Sequence, residues 1–129
     1  MDIIKFAELP FGRVELRANN VLFFEPDIAR FKEYNIPILE EMLETFVELT
    51  DGIPRPYLCD NRYITGLVNK EEQVFINNHF GKFATKAALL THSPVMNVLI
   101  NTYHTLFKPK VIIKLFTTEE DAVTWLLNK

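Results

Sequence analysis

The spacing of apolar residues changes along the chain, and this change restricts the folds that the chain can adopt. Residues 13–17 alternate between apolar and charged side chains, which is the period of a half-buried strand. Asn19 and Asn20 predict a tight turn into a second strand over 21–25, because Asn tolerates positive φ better than most residues. Residues 3–8 predict a further strand at the edge of the same sheet. The chain is therefore expected to begin with antiparallel strands.

A long amphipathic segment follows these strands. From residue 27 to 50 the apolar residues recur about every 3.6 residues, the period of a helix with one buried face. Pro37 interrupts the pattern, since an interior proline removes a helix hydrogen bond and clashes with the preceding turn. Two alternatives follow: the helix kinks near Glu33, or the main helix begins at Ile36 with Asn35 as its N-terminal cap.

Three units of strand and helix complete the chain. The predicted strands are 56–60, 86–91 and 111–116, and the predicted helices begin at Asn69 with Glu72, at Ser93 with Pro94, and within 117–121. Asn69 and Glu72 have the spacing of a capping box, and Ser93 is expected to accept hydrogen bonds from free N–H groups. In the second of these helices the expected inward face consists of Val95, Val98, Leu99, Tyr103, Leu106 and Phe107.

This order of elements predicts a mixed α/β fold. Antiparallel strands followed by alternating strands and helices indicate one mixed sheet with an N-terminal antiparallel hairpin, later parallel strands and about four covering helices. No internal repeat, low-complexity stretch or linker divides the sequence. Residues 1–129 are therefore expected to form a single domain.

The composition excludes several kinds of chemistry. The sequence holds one Cys, one Ser, three His and only four Gly. One thiol cannot form an internal disulfide or a Cys-based zinc site, and scattered glycines do not build a phosphate-binding loop. Ser93 lacks the surroundings of a hydrolase nucleophile, and the three His fall in different predicted elements. We expect no enzymatic activity, no metal site and no cofactor.

Charge and hydropathy bear on partners and location. A net charge of −3 and a pI near 5.6 argue against nucleic-acid binding. The first seventeen residues carry charges that leave no room for the apolar part of a signal peptide, and no apolar run approaches the roughly twenty residues of a spanning helix. Cys59 lies in an apolar run, which predicts a buried, reduced thiol. We expect a cytoplasmic protein without a transmembrane segment.

The segment 60–66 is the stretch whose residue types indicate a site. It combines an acid, an amide, a guanidinium, a hydroxyl and a glycine, in Asp60, Asn61, Arg62, Thr65 and Gly66. It follows a predicted strand and approaches a helix start, and ligands of open sheets bind beyond the carboxyl ends of parallel strands. Free N–H groups at a helix start hold anions. The alternative interpretation is structural, with Asp60 and Asn61 capping the strand and Gly66 making a turn.

Three short patterns in the sequence indicate a resemblance to a known family. They are Glu8-Leu9-Pro10-Phe11-Gly12-Arg13-Val14, Leu58-Cys59-Asp60 with Thr65-Gly66, and Phe116-Thr117-Thr118-Glu119-Glu120-Asp121-Ala122-Val123-Thr124-Trp125-Leu126. With the order of elements, they resemble the SpoIIAA-like proteins, which are related to STAS domains and associated with Sec14-like lipid binders. Small uncharacterised bacterial proteins of the Bacteroidetes type look most similar. The resemblance implies a SpoIIAA-like fold over nearly the whole chain.

The same resemblance implies a candidate phosphoacceptor. In anti-sigma antagonists a serine followed by glycine is phosphorylated by a partner kinase, and Thr65-Gly66 stands in the similar place here. Ile64 precedes it, where the family has acidic and serine residues.

Three functional hypotheses follow. The first is a non-enzymatic cytoplasmic binding or regulatory module that binds a protein partner or a small anion through residues 60–66. The second is an apolar-ligand or lipid-binding Sec14-like module, suggested by eleven Phe and by the resemblance, which requires a connected apolar cavity of roughly 300 Å³. The third is an anti-sigma-antagonist-like phospho-switch at Thr65. A homodimer is compatible with a sheet protein of this size.

Overall fold

The computed structural model describes residues 2–31, 33–64 and 68–128, which contain three successive strands followed by alternating helices and strands. In chain order they are β1 (Ile3–Leu9), β2 (Gly12–Arg17), β3 (Leu22–Pro26), α1 (Ile36–Leu49), β4 (Arg55–Asp60), α2 (Lys70–His79), β5 (Ala84–Leu90), α3 (Pro94–Phe107), β6 (Ile113–Phe116) and α4 (Glu119–Leu127). A single turn of 3₁₀ helix, Phe80–Lys82, follows α2. The ends of the later strands differ from their predicted positions by up to two residues.

The six strands form one sheet whose spatial order is the order of the sequence. β1, β2 and β3 pair antiparallel, and β3 to β6 pair parallel. The predicted mixed sheet with an N-terminal antiparallel hairpin is therefore confirmed. Asn20 lies in the turn between β2 and β3 with a φ of 76°. The predicted tight turn at Asn19 and Asn20, based on the tolerance of Asn for positive φ, is therefore confirmed.

The helices cover both faces of this sheet. Connections between parallel strands are right-handed in nearly all proteins, and α1, α2 and α3 each advance one strand in the same direction, so all three lie on one face. The larger apolar core, which includes Phe24 and Phe46, lies under them. α4 covers the opposite face, where Ala122 and Leu126 pack on Leu58 in a smaller core.

The starts of α1 and α2 follow from local side-chain hydrogen bonds. Asn35 is the N-terminal cap of α1 and accepts from the N–H of Ile38 at 2.9 Å, so the helix begins after a cap and does not kink at Pro37. At α2 the predicted capping box is present. The N–H of Glu72 donates to Asn69 Oδ1 at 2.9 Å, and the N–H of Asn69 donates to Glu72 Oε1 at 2.7 Å.

The start of α3 differs from its prediction. Ser93 is the cap residue, but among the described residues its side chain makes no capping hydrogen bond. The N–H of Met96, which the serine hydroxyl was expected to accept from, donates to the carbonyl of Ser93 at 3.2 Å, and the N–H of Ser93 itself donates to Oγ1 of Thr91 at 3.1 Å. Pro94 at the first turn fits the helix as expected, since its missing N–H needs no partner there.

The inward face of α3 is also partly mispredicted. Val95, Val98 and Leu106 are 55%, 66% and 65% exposed, whereas Met96 and Tyr103 are buried. α3 contains no Asp, Glu, Lys or Arg. Its apolar residues therefore lie on all sides of the helix, and their spacing does not identify one buried face. Even so, no helix in the described part of the chain is long and apolar enough to cross a membrane.

Candidate functional site

Three segments meet at the edge of the sheet where the parallel strands end. Gly12, the first residue of β2, pairs with Pro26, the last residue of β3, so the hairpin turn between β1 and β2 lies beside the carboxyl end of β3. The N–H of Asp27 donates to the carbonyl of Phe11 at 2.9 Å, which holds the segment after β3 against that turn. β4 runs parallel to β3, and Asp60 is its last residue, so Asp60 lies at the same edge.

A polar groove of about 560 Å³, the edge groove, lies between these segments. Among the described residues, six charged ones line it, namely Glu8, Arg13, Glu25, Asp27, Arg30 and Asp60. Arg13 contacts Glu8 at 2.7 Å and Arg30 contacts Asp27 at 3.1 Å. Four of these six described residues carry carboxylates and two carry guanidiniums, so together they hold net negative charge, which favours a cationic ligand over an anionic one.

Asp60 and Arg62 form a two-pronged ion pair beside the groove. Arg62 donates through Nε to Oδ1 at 2.9 Å and through Nη2 to Oδ2 at 2.8 Å, and its backbone N–H donates to Oδ1 at 3.1 Å. Burial raises the pKa of Asp60, but the hydrogen bonds and charge of Arg62 outweigh it, so the pKa lies below the ordinary 3.8. The Asp60 carboxylate neutralises much of the charge of this guanidinium, so the attraction of Arg62 for a free anion is reduced although N–H groups of Nη1 and Nη2 remain unused by Asp60.

Two apolar side chains at the groove remain open to solvent. Tyr63 is 64% exposed and Ile28 is 60% exposed, and both line the groove. The Tyr63 ring stands edge-on to that of His92 with ring centroids 6.2 Å apart. The sequence pattern does not single out either residue, because in a chain this rich in apolar side chains a tyrosine or isoleucine is first expected in the core.

Asn61 points away from the groove. It is 6% exposed, and its Oδ1 accepts from the hydroxyl of Tyr34 at 2.8 Å and from Sγ of Cys59 at 3.3 Å. Of the predicted site residues, Asp60 and Arg62 lie together at the edge, and Asn61 faces the core. Thr65 and Gly66 lie outside the described residues.

Cys59 has the environment of a structural thiol. It is 1% exposed, as its apolar run predicts. Burial raises its pKa to about 11, and hydrogen bonds from Tyr34 and Tyr57 reduce this shift only in part. The thiol therefore stays protonated at neutral pH, which removes the thiolate that a nucleophile needs.

The shifted pKa of Cys59 predicts a loss of stability in alkali. The folded pKa of about 11 exceeds the ordinary 9.0, so the unfolded chain releases the proton first. The stabilisation is complete below pH 9.0 and disappears as pH rises toward 11. Between about pH 7.5 and pH 10.5, wild type should lose about 2 kcal/mol more unfolding free energy than Cys59→Ala. Urea unfolding of both proteins at each pH measures this, and equal losses would show that the thiol is not shielded.

An apolar cavity of about 130 Å³ lies between the sheet and helices α1, α2 and α3. Its lining includes Phe46, Ile76, Leu89, Ile100, Tyr103 and Ile113. The volume is less than half of the roughly 300 Å³ expected for a lipid or drug-sized ligand, so a whole lipid would require the cavity to enlarge.

Comparisons with known proteins identify the fold. The model of a family described as a domain of unknown function, DUF7793, matches residues 15–128. The crystal structure of an uncharacterised DUF3478-family protein from Shewanella loihica PV-4, with a SpoIIAA-like fold, matches with a TM-score of 0.63. That match has 17% identity and covers 94% of this chain and 93% of the other. No curated protein matches the sequence. The predicted SpoIIAA-like fold is confirmed, and identity this low shows the fold alone.

Proposed function

The chain belongs to the DUF7793 family, and from its edge groove we propose that it is a non-enzymatic binding or regulatory module for a protein partner. The observation that supports this most directly is the combination of exposed apolar side chains with an excess of carboxylates. Tyr63 and Ile28, 64% and 60% exposed, flank the acidic lining of a concave surface. Exposed apolar surface costs free energy in water unless a partner covers it.

The chemistry of this surface suits a basic peptide segment. Tyrosine is enriched among the residues that dominate protein interfaces, because its ring buries a large area while its hydroxyl stays solvated. Glu25 is exposed at the groove, and a lysine or arginine of the partner would approach it without displacing an existing contact of Asp60 with Arg62. Apolar side chains of the same segment would then cover Tyr63 and Ile28.

A small anion suits this surface less well. Every arginine named at this edge already contacts a carboxylate, at 2.7 Å for Arg13, 3.1 Å for Arg30 and 2.8 Å for Arg62. An anion would have to displace one of these carboxylates or bind close to it, which weakens its attraction to the guanidinium. We therefore favour the protein partner and treat anion binding as an outcome of the test.

A random peptide display library tests the proposal with a defined probe. Peptides selected on wild type are expected to be enriched in Lys and Arg together with apolar residues. The affinity of the best peptide, measured by fluorescence anisotropy, should fall about tenfold or more in Tyr63→Ala, because truncation of a central interface tyrosine costs about 2 kcal/mol. Val98→Ala is the matched control, since Val98 is apolar, 66% exposed and on α3, and it should change the affinity less than twofold.

Two results would count against the protein-partner proposal. One is selection of acidic peptides, or of peptides that Tyr63→Ala and Val98→Ala weaken equally. The other is the absence of any selected peptide together with binding of inorganic phosphate that Arg62→Ala abolishes, since this would assign the edge to a small anion.

A further inference from the structure

Charged residues are unevenly distributed along the chain. Residues 73–118 contain five Lys and no Asp, Glu or Arg, so all seventeen acidic residues belong to the rest of the sequence. This stretch includes β5, α3 and β6, which therefore hold no acidic side chain of their own. The part of the molecule that these elements form is basic.

Three of the five lysines lie at the amino ends of the parallel strands. Lys82 comes just before β5, and Lys108 and Lys110 lie between α3 and β6, so the parallel pairing of β5 with β6 places all three at one edge of the sheet. A Cβ at Gly81 would lie 4.0 Å from Cγ2 of Val111, so the turn before β5 packs against the segment that leads into β6. All three lysines are exposed.

These lysines have no acidic partner in the described part of the chain. None of its ion pairs includes them, and Lys82 contacts Nδ1 of His79 at 2.9 Å. The end of α1 brings Glu48 and Asp51 to the same edge, but this helix precedes β4, which is two strands from β6. Asp51 is also bound by Lys5 at 2.9 Å. The charge of the three lysines is therefore open to an anionic partner.

Two aliphatic side chains are exposed among these lysines. Leu106 precedes Lys108 and is 65% exposed, and Ile112 follows Lys110 and is 50% exposed. We call Lys82, Leu106, Lys108, Lys110 and Ile112 the basic edge. None of these five residues lines the edge groove or the apolar cavity. The basic edge is therefore separate from both, and it lies at the end of the strands opposite to the edge groove.

We propose that the basic edge binds the surface of a membrane that contains anionic lipids. Lysines near such a surface are attracted to its charged headgroups, and exposed aliphatic side chains beside them insert at the boundary between headgroups and acyl chains. The basic edge holds neither Arg nor an aromatic residue, which are the usual contacts of phosphates and bases in nucleic acids. It also lines neither of the two concave sites, so a broad lipid surface suits it better than a peptide.

Sedimentation of the full chain with lipid vesicles tests this proposal. Wild type should bind vesicles of phosphatidylcholine with about one third phosphatidylglycerol at least about tenfold more strongly than vesicles of phosphatidylcholine alone, and added salt should weaken this binding. Lys108→Gln and Lys110→Gln should each lower the partition coefficient about fivefold. Lys70→Gln is the matched control, because Lys70 is exposed at the start of α2, at the other end of the sheet, and should change binding less than about twofold.

The contribution of the aliphatic side chains is measured separately. Leu106→Ser should lower the partition coefficient about threefold or more, whereas Val98→Ser, earlier on the same helix and 66% exposed, should leave it within about twofold of wild type. An unchanged coefficient in Leu106→Ser would overturn the insertion of this side chain.

Three results would overturn the membrane proposal as a whole. The first is the absence of binding to the anionic vesicles. The second is an equal loss of binding in Lys110→Gln and Lys70→Gln, with circular dichroism showing that both variants are folded. The third is binding of polyglutamate by wild type that does not bind the vesicles, since this would assign the basic edge to an acidic protein segment. None of these results bears on the edge groove, because the peptide experiment uses different residues.

Discussion

Phe46→Ala is expected to lower the free energy of unfolding by about 4 kcal/mol, the range observed when a buried phenylalanine is truncated in a packed core. Phe46 is fully buried. Its ring centroid lies 5.6 Å from those of Phe24 and Tyr57 and 5.1 Å from that of Phe83. Because Phe46 also lines the apolar cavity, the truncation enlarges a space that already exists beside it.

Urea unfolding of wild type and Phe46→Ala measures this loss. Phe6→Ala is the matched control, because Phe6 lies on β1 and is 56% exposed. The guanidinium carbon of Arg13 lies 4.1 Å from the centroid of the Phe6 ring. Loss of this exposed cation–π contact should lower the free energy of unfolding by less than about 1 kcal/mol. If both variants lose the same stability, Phe46 is not at the centre of the core.

Gly12→Ala is expected to destabilise the fold by about 3 kcal/mol, although it adds a single methyl group. A Cβ at Gly12 would lie 2.8 Å from the carbonyl oxygen of Glu25 and 2.9 Å from two ring atoms of Phe24. The carbonyl belongs to β3, which pairs with β2 at this point, so it cannot move without disturbing the sheet. Phe24 is fully buried between the rings of Phe11 and Phe46, so a shift of its ring displaces packed neighbours.

Gly81→Ala is the control variant for the destabilisation expected in Gly12→Ala. At Gly81 the nearest atom to a new Cβ is Cγ2 of Val111 at 4.0 Å, an ordinary contact distance. Thermal and urea unfolding should therefore place Gly81→Ala within about 0.5 kcal/mol of wild type. Similar losses for the two alanine variants would mean that the close approach of β2 and β3 at Gly12 is not present.

The order of strands and helices is predictable from the sequence because it depends on local periodicity and capping. Asn35 and the pair Asn69 and Glu72 form the predicted helix starts with their own neighbours in the chain. The buried face of α3 is not predictable in this way. It depends on which side of an uncharged helix meets the sheet, and that is decided by contacts distant in sequence.

The candidate site is predictable only in part for the same reason. Asp60 and Arg62 are two residues apart, and their ion pair forms within one loop. Tyr63 acquires its role only when the turn between β1 and β2 and the segment after β3 fold beside it. The apolar cavity depends on how closely three helices pack on one sheet, which no local pattern encodes.

Besides the binding function, several other expectations from the sequence stay predictions. Phosphorylation of Thr65 concerns a residue outside the described ranges, and a homodimer, a cytoplasmic location and binding of a whole lipid rest on composition or on resemblance. The cavity volume of about 130 Å³ is less than half of the roughly 300 Å³ expected for a lipid site.

Partner binding at the edge groove is tested most directly by mapping a selected peptide on the labelled protein. Amide shift changes in a titration should concentrate at Ile28, Asp60 and Tyr63, which line one surface although they are distant in sequence. The exposed residues Val95 and Val98 of α3 should remain unchanged. Changes centred on α3, with the residues of the edge groove unaffected, would contradict the proposed function.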